Sequence, residues 1–178
     1  VPSCRAYDPA FNYEVAVIVQ EGPRRMVGEQ EDVFYYLTLM NENYHHPAMP
    51  KDARDGILRG MYLLREGSKR SKKPRVQLLG SGTILREVMA AAQLLQSDFG
   101  VLSDVWSVPS FTELRRDGIE TERWNMLHPT ETPRRAYVTE QLDGRRGPVI
   151  ASNDYLRAFP DQIRQWVDGG DRSYRTLG

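Results

Sequence analysis

Two of the three histidines of this 178-residue sequence stand side by side in Asn41-Glu42-Asn43-Tyr44-His45-His46-Pro47. An imidazole near neutrality can hydrogen-bond, move a proton or ligate a metal. Neighbours on an extended chain point to opposite sides, and no Cys, Asp or third His stands at ligand spacing, so a zinc site is not expected here. What remains is hydrogen bonding to a polar or anionic group by one of the pair, set against a plain structural or interface turn. A second candidate is Gly80-Ser81-Gly82-Thr83, where free N–H groups and a helix dipole could favour an anion. No lysine follows the glycines and the dinucleotide fingerprint is incomplete, so a tight structural turn is the preferred reading. His128, before Pro129, reads as a helix cap. Asp104 and Glu113 do not make a carboxylate pair, and neither Ser81 nor Ser110 sits in a nucleophile-elbow pattern. Residue chemistry alone yields no complete catalytic set.

The elements that would position these groups can be read from spacing. Residues 33–40, Val-Phe-Tyr-Tyr-Leu-Thr-Leu-Met, carry only one polar side chain and predict a strand buried on both faces. Ligands of open parallel sheets collect beyond the carboxyl ends of strands, which places Asn41, Glu42, Asn43, Tyr44 and His45 where chemistry is expected. Upstream, Asp8 as cap and Pro9 as first helical residue predict a helix with Phe11, Val15, Ile18 and Val19 on one face, closed by Gly22-Pro23. Downstream, residues 51–58 predict a short helix, 61–64 a brief strand and 68–74 a solvated basic loop.

The clearest unit follows. Residues 76–79 form a strand, 80–83 the turn, and 84–98 a helix with Ile84, Leu85, Val88, Met89, Ala92 and Leu95 at helical spacing, stopped by Gly100. A strand over 101–108 completes a βαβ unit. Ser110-Phe111-Thr112-Glu113 is a capping box opening a further helix. Glu131-Thr132-Pro133 opens another, with Tyr137, Val138 and Leu142 inward. Residues 148–152 predict a third strand, 154–167 a mostly helical stretch interrupted near Pro160, and 174–177 a fourth strand. The sum is an α/β fold, an open parallel or mixed sheet with helices on both faces, preceded by a helix–strand remnant of a neighbouring domain.

Composition narrows the class. Charge balances at 24 basic and 24 acidic residues, so nothing global points to nucleic acid or to a membrane surface. The one basic run, residues 68–74, lacks interleaved aromatics. No apolar run approaches the ~18 residues of a membrane span, and no signal-peptide pattern opens the chain. A single cysteine, Cys4, fits a reducing compartment. A cytoplasmic α/β protein is the expectation. Val1 in place of methionine, and a last strand that has barely begun, suggest a fragment or a processed chain.

Several stretches together resemble the homodimeric bacterial pyruvate dehydrogenases, the thiamine diphosphate-dependent component of the pyruvate dehydrogenase complex. They are Tyr7-Asp8-Pro9-Ala10-Phe11, Asn41-Glu42-Asn43-Tyr44-His45, Gln77-Leu78-Leu79-Gly80-Ser81-Gly82, Ser110-Phe111-Thr112-Glu113-Leu114, Arg123-Trp124-Asn125-Met126-Leu127-His128-Pro129 and Ala151-Ser152-Asn153-Asp154-Tyr155. More distantly, Val108-Pro109-Ser110 and the glycine turn are similar to the third domain of transketolase. The resemblance implies that residues 1–46 end a middle, pyrimidine-binding domain, that 47–74 link, and that 75–178 form a C-terminal α/β domain that stops short of a terminal turn and helix. It implies oxidative decarboxylation of pyruvate with acetyl transfer to a lipoyl group by a homodimer that binds a dihydrolipoyl acetyltransferase core. Thiamine diphosphate and Mg²⁺ would be held by other parts of a longer chain, because the Gly-Asp-Gly…Asn motif does not occur here. Glu14 and Glu42 do not match the glutamate that activates the cofactor. The segment itself would serve structure and dimerisation and be inactive alone. Asn41, Glu42, Asn43, Tyr44 and His45 would border the substrate channel, His45 being the better histidine candidate since His46 replaces a methionine of relatives. The rival readings are a non-catalytic interaction module of the same fold and a nucleotide-binding protein using Gly80 to Thr83.

Overall fold

A computed structural model describes residues 1–68, 71–167 and 172–178. Strand β1 (Cys4–Tyr7) pairs in parallel with β2 (Phe34–Leu37), Cys4 opposite Phe34 and Tyr7 opposite Leu37. Helix α1 (Asn12–Pro23) and a π-helical turn, Arg24–Gly28, connect the two. The chain continues through α2 (Ala53–Arg59), β3 (Tyr62–Arg65), β4 (Arg75–Gly80), α3 (Ile84–Phe99), β5 (Leu102–Ser107) and α4 (Phe111–Leu127). It then forms α5 (Tyr137–Leu142), β6 (Val149–Ser152), α6 (Ala158–Asp161), α7 (Arg164–Val167) and β7 (Tyr174–Leu177).

The second sheet has the order β3-β5-β4-β6-β7, all parallel except β3, which runs antiparallel to β5. Side chains alternate between its faces as a pleated strand requires. Val76, Leu78 and Val105 pack with Leu85, Val88 and Ala92 of α3 on one side. Leu79, Trp106 and Val149 pack with Leu114, Val138 and Leu142 of α4 and α5 on the other. Each such apolar side chain contributes about 1.5–3 kcal/mol on burial. A third cluster joins Val17 and Ile18 of α1 to Ile57 of α2 and Tyr62 of β3, tying the two-stranded unit to the larger sheet. The expected mixed α/β architecture with helices on both faces is what forms.

Several expectations need correction. The stretch 33–40 is a strand only over Phe34–Leu37, and it is not buried on both faces: Phe34 is 48% and Tyr36 59% exposed. Among the described residues its sole strand partner is β1, so one edge and one face stay open. β1 itself was not expected. Helix α1 begins at Asn12 rather than at Pro9, and its buried face is Glu14, Val17 and Ile18, while Val19 points outward. Gly22-Pro23 ends the α-helix, but the chain goes on coiling as the π turn. Helix α5 starts at Tyr137, four residues after Pro133, because Asp117 of α4 accepts the Tyr137 N–H at 2.6 Å and fixes the start. The stretch 154–167 yields two one-turn helices, α6 and α7, with Pro160 inside the first. Lys69 and Arg70 of the expected basic loop lie outside the described residues.

Candidate functional site

The carboxyl ends of β4, β5 and β6 surround a cavity of about 250 Å³, walled in part by Asp8, Thr38, Ser81, Phe111, Asn153 and Phe159. The place follows from topology. After β4 the chain passes to one side, into β5, and later returns to the other, into β6, so the strand order diverges at β4. Crevices at such points collect ligands.

Asp8 lies at the centre of the polar groups. Thr38 Oγ1 donates to its carboxylate at 2.5 Å, and Ser81 and Tyr155 stand beside it on the cavity wall. Burial pushes the Asp8 carboxyl above the usual range; the Thr38 and Ser81 hydroxyls pull it partway back and the Asp154 charge raises it slightly. Its backbone is stitched to both strand ends, the N–H donating to Pro109 at 2.7 Å and the carbonyl accepting from Gly82 at 3.0 Å. That use of Asp8 decides the role of the glycine turn. Gly82 has φ +49°, and a Cβ there would collide with the Asp8 carboxylate. The turn already faces an acidic side chain, which disfavours a phosphate. Asn153, 5% exposed, lines the cavity, and its Nδ2 is a buried donor without a hydrogen-bond partner among the described residues.

A second buried carboxyl lies at the join of the two sheets. Glu14, in the first turn of α1, is fully buried. One oxygen accepts the N–H groups of Ala10 (2.5 Å) and Phe11 (3.0 Å). The other accepts the hydroxyls of Tyr62 on β3 (2.7 Å) and Ser107 on β5 (2.6 Å). Burial drives its pKa upward against these four hydrogen bonds. A carboxyl placed so can fasten the α1 terminus to the larger sheet; with every lone pair engaged, it is not poised to abstract a proton.

The histidine segment runs without regular structure over the N-terminal ends of α1 and α3. Glu42 pairs with Arg86 of α3 at 2.9 Å, and the Arg86 guanidinium sits 4.6 Å over the Tyr44 ring. The Tyr44 hydroxyl donates to the Ala10 carbonyl. His46 Nδ1 accepts from the Asn12 N–H at 3.2 Å, and its ring lies 4.4 Å from that of Tyr44. Asn41, Asn43 and His45 are exposed. Of the five candidates, then, Glu42 and Tyr44 are drawn into a strap, Asn41, Asn43 and His45 face solvent, and none lines the cavity. His128 caps α4, with its Nδ1 2.8 Å from the Trp124 carbonyl. Asp104 and Glu113 are engaged separately, Asp104 by Arg75 and Gln77 and Glu113 by Arg5 and Arg116. Ser110 Oγ accepts the Glu113 N–H at 3.0 Å, half of the expected capping box; the Ser110 N–H goes to Gly60 instead.

Sequence reasoning missed Asn153 and gave Asp8 only a capping role. The available signal was the polar run Ser152-Asn153-Asp154 at a strand end, the same kind of signal that drew attention to Asn41.

Comparison with known proteins adds the family context. Residues 1–47 match the model of the pyruvate dehydrogenase E1 component middle domain, and residues 60–177 that of the transketolase-like C-terminal domain. The chain is 61% identical over all 178 residues to the pyruvate dehydrogenase E1 component of Pseudomonas aeruginosa and 55% identical over 181 residues to that of Escherichia coli K12. It spans 20% of the length of each. Among solved structures it is similar to transketolase from Campylobacter jejuni (TM-score 0.60, 18% identity, 99% of this chain and 22% of that one). It is also similar to transketolase from Pichia stipitis in complex with sedoheptulose 7-phosphate (TM-score 0.54, 13% identity, 99% and 21%). At these identities the structural likeness concerns the fold alone.

Proposed function

The chain belongs to the transketolase-like C-terminal domain family, and from that premise we propose that it is a section of a pyruvate dehydrogenase E1 component serving structure and dimerisation. The supporting observation is 61% identity over the whole of the chain. The full-length reaction is oxidative decarboxylation of pyruvate with acetyl transfer to a lipoyl group. Its partners are a second copy and the dihydrolipoyl acetyltransferase core, and its compartment is the cytoplasm. Residues 1–46 close the middle domain, 47–74 link, and 75–178 belong to the C-terminal domain; the middle-domain model, ending at residue 47, supports the first boundary, while the C-terminal model begins at residue 60 and, like the sheet, takes in β3 from the proposed link.

Thiamine diphosphate with Mg²⁺ is the cofactor of the proposed reaction, supplying the carbanion-stabilising chemistry when bound. The residues described here do not fit it. The glycine turn at α3 faces Asp8, the cavity beside it has no Lys or Arg on its walls, and no group of three or more His, Cys, Asp or Glu converges among the described residues. No step is therefore routed through these side chains. What they do is fasten: Glu14 joins the α1 terminus to β3 and β5, and the Glu42–Arg86–Tyr44–His46 strap holds residues 41–46 across two helix ends. Held this way, Asn41, Asn43 and His45 present exposed polar side chains, the arrangement suited to the border of a substrate channel. Met126 and Leu127, exposed at the end of α4, offer apolar surface for a subunit contact.

The test compares the native full-length polypeptide with the 178-residue chain. The full-length protein decarboxylates pyruvate with reduction of a lipoyl acceptor, and the chain alone does not; decarboxylation by the chain alone would overturn the reading. His45→Ala in the full-length protein raises the KM for pyruvate or lowers kcat, whereas unchanged constants remove the channel role.

A further inference from the structure

The first N–H groups of a helix have no acceptor inside it and are usually met by a Ser, Thr, Asp or Asn at the cap. Helix α1 has no such residue: its cap is Phe11, which offers no side-chain acceptor. The Ala10 and Phe11 N–H groups go to Glu14 instead. The Asn12 N–H goes to His46 Nδ1 at 3.2 Å, on a residue 34 positions further along the chain. An imidazole therefore does for α1 what a cap residue does elsewhere, and the same bond fastens the end of the strap to the helix.

A ring nitrogen accepts only while it carries no proton, so this bond requires the neutral ring with its hydrogen on Nε2. A second proton would go to Nδ1. It would aim one donor at another and set a positive charge at the positive end of the α1 dipole. The surroundings give that cation little. On the strap, the Tyr44 ring lies 4.4 Å away, His45 is exposed, and the Glu42 carboxylate is paired with Arg86 at 2.9 Å. On α3, the Arg86 guanidinium 4.6 Å over the Tyr44 ring adds a like charge. On α1, the Phe11 ring stands edge-on at 6.3 Å, Tyr13 stacks on Phe11 with its hydroxyl bonded to Tyr62, and Glu14 already takes four donors. Both carboxylates are committed elsewhere.

We propose that His46 is an acid-released latch: neutral, it caps α1 and holds residues 41–46 across the helix end, and protonated, it releases them. Linkage gives the direction. The released strap binds a proton on Nδ1 that the closed strap does not, so the latch is closed on the alkaline side and opens as pH falls through the range in which an imidazole changes charge. What release does to Asn41, Asn43 and His45 rests on reading them as the border of a substrate channel; the latch itself does not.

Hydrogen exchange of the full-length protein reads the latch, with fragmentation that resolves the Asn12 amide and correction for the pH dependence of exchange in an unfolded chain. It is run at about pH 5.5 and about pH 8, toward the two ends of the imidazole range. Protection of the Asn12 amide should fall about fivefold toward acid, the worth of one hydrogen bond. In His46→Asn, which carries an acceptor that does not titrate, protection no longer depends on pH. In His46→Leu it is lost at both pH values, and His45→Asn keeps the parent pattern. Equal protection of the parent protein at the two pH values overturns the proposal. So does an acid loss that persists in His46→Asn or disappears in His45→Asn. The KM for pyruvate of the same proteins reports separately on the channel reading. A parent KM that rises toward acid more than that of His46→Asn supports it, and equal ratios beside a working latch remove the channel role and leave the latch standing.

Discussion

β2 and β5 invert what their compositions suggest. Phe34-Tyr35-Tyr36-Leu37 has no charged or small polar residue, yet it alternates between exposed and half-buried. Leu102-Ser103-Asp104-Val105-Trp106-Ser107 holds two serines and an aspartate, yet all six residues are buried. β5 lies between β3 and β4 with helices over both faces; β2 pairs with β1 alone among the described residues. Burial is therefore set by place in the sheet, and two of the three polar side chains find partners inside: Asp104 takes Gln77 at 2.8 Å together with Arg75, and Ser107 donates to Glu14 at 2.6 Å, whereas the Ser103 hydroxyl is buried with no partner among the described residues.

Substitutions can break or sharpen that contrast. Leu79→Ala, in the central strand β4, should cost about 2–5 kcal/mol, measured by urea unfolding of the 178-residue chain. Glu14→Ala should cost about 3 kcal/mol, since it strands two N–H groups and two hydroxyls inside the join. Gly82→Ala should cost about 1–3 kcal/mol, because φ is +49° and the new methyl meets the Asp8 carboxylate; Asp8→Ala in the same chain should recover part of that loss. Phe34→Ala, for all its lost area, should stay within about 0.5 kcal/mol, and a loss matching that of Leu79→Ala would erase the distinction between the two sheets.

Acidity offers a further handle on the join. Burial raises the Glu14 carboxyl above its ordinary range in the folded chain. The folded state therefore holds the proton more tightly than the unfolded state. That contribution to stability is complete below the unfolded pKa of about 4.3 and is lost as pH rises through the folded value. Glu14→Gln abolishes the titration, so its penalty relative to the parent should shrink as pH rises through this window. A penalty that grows with pH would mean that the carboxylate, not the acid, is the stabilised form.

Legibility followed the reach of the interactions. β4, α3 and β5 were readable because a strand, a glycine turn and helical spacing are local, and Gly100 at φ +64° stops α3 as its type suggests. The start of α5 was not, because Asp117, twenty residues earlier, sets it. Nor was the buried face of α1, where Glu14 takes a core position that only Tyr62 and Ser107 make tolerable. The cavity was the least legible feature. Asp8, Thr38, Ser81 and Asn153 come from four separate segments, and no spacing in the sequence announces that they meet.

The central claim is that the reactive centre is built from residues outside this chain. Calorimetric titration with thiamine diphosphate in the presence of Mg²⁺, run in parallel on the 178-residue chain and on the native full-length protein, tests it most directly. The account predicts saturable heat from the full-length protein and none from the chain. A saturable one-to-one isotherm from the chain alone would contradict it.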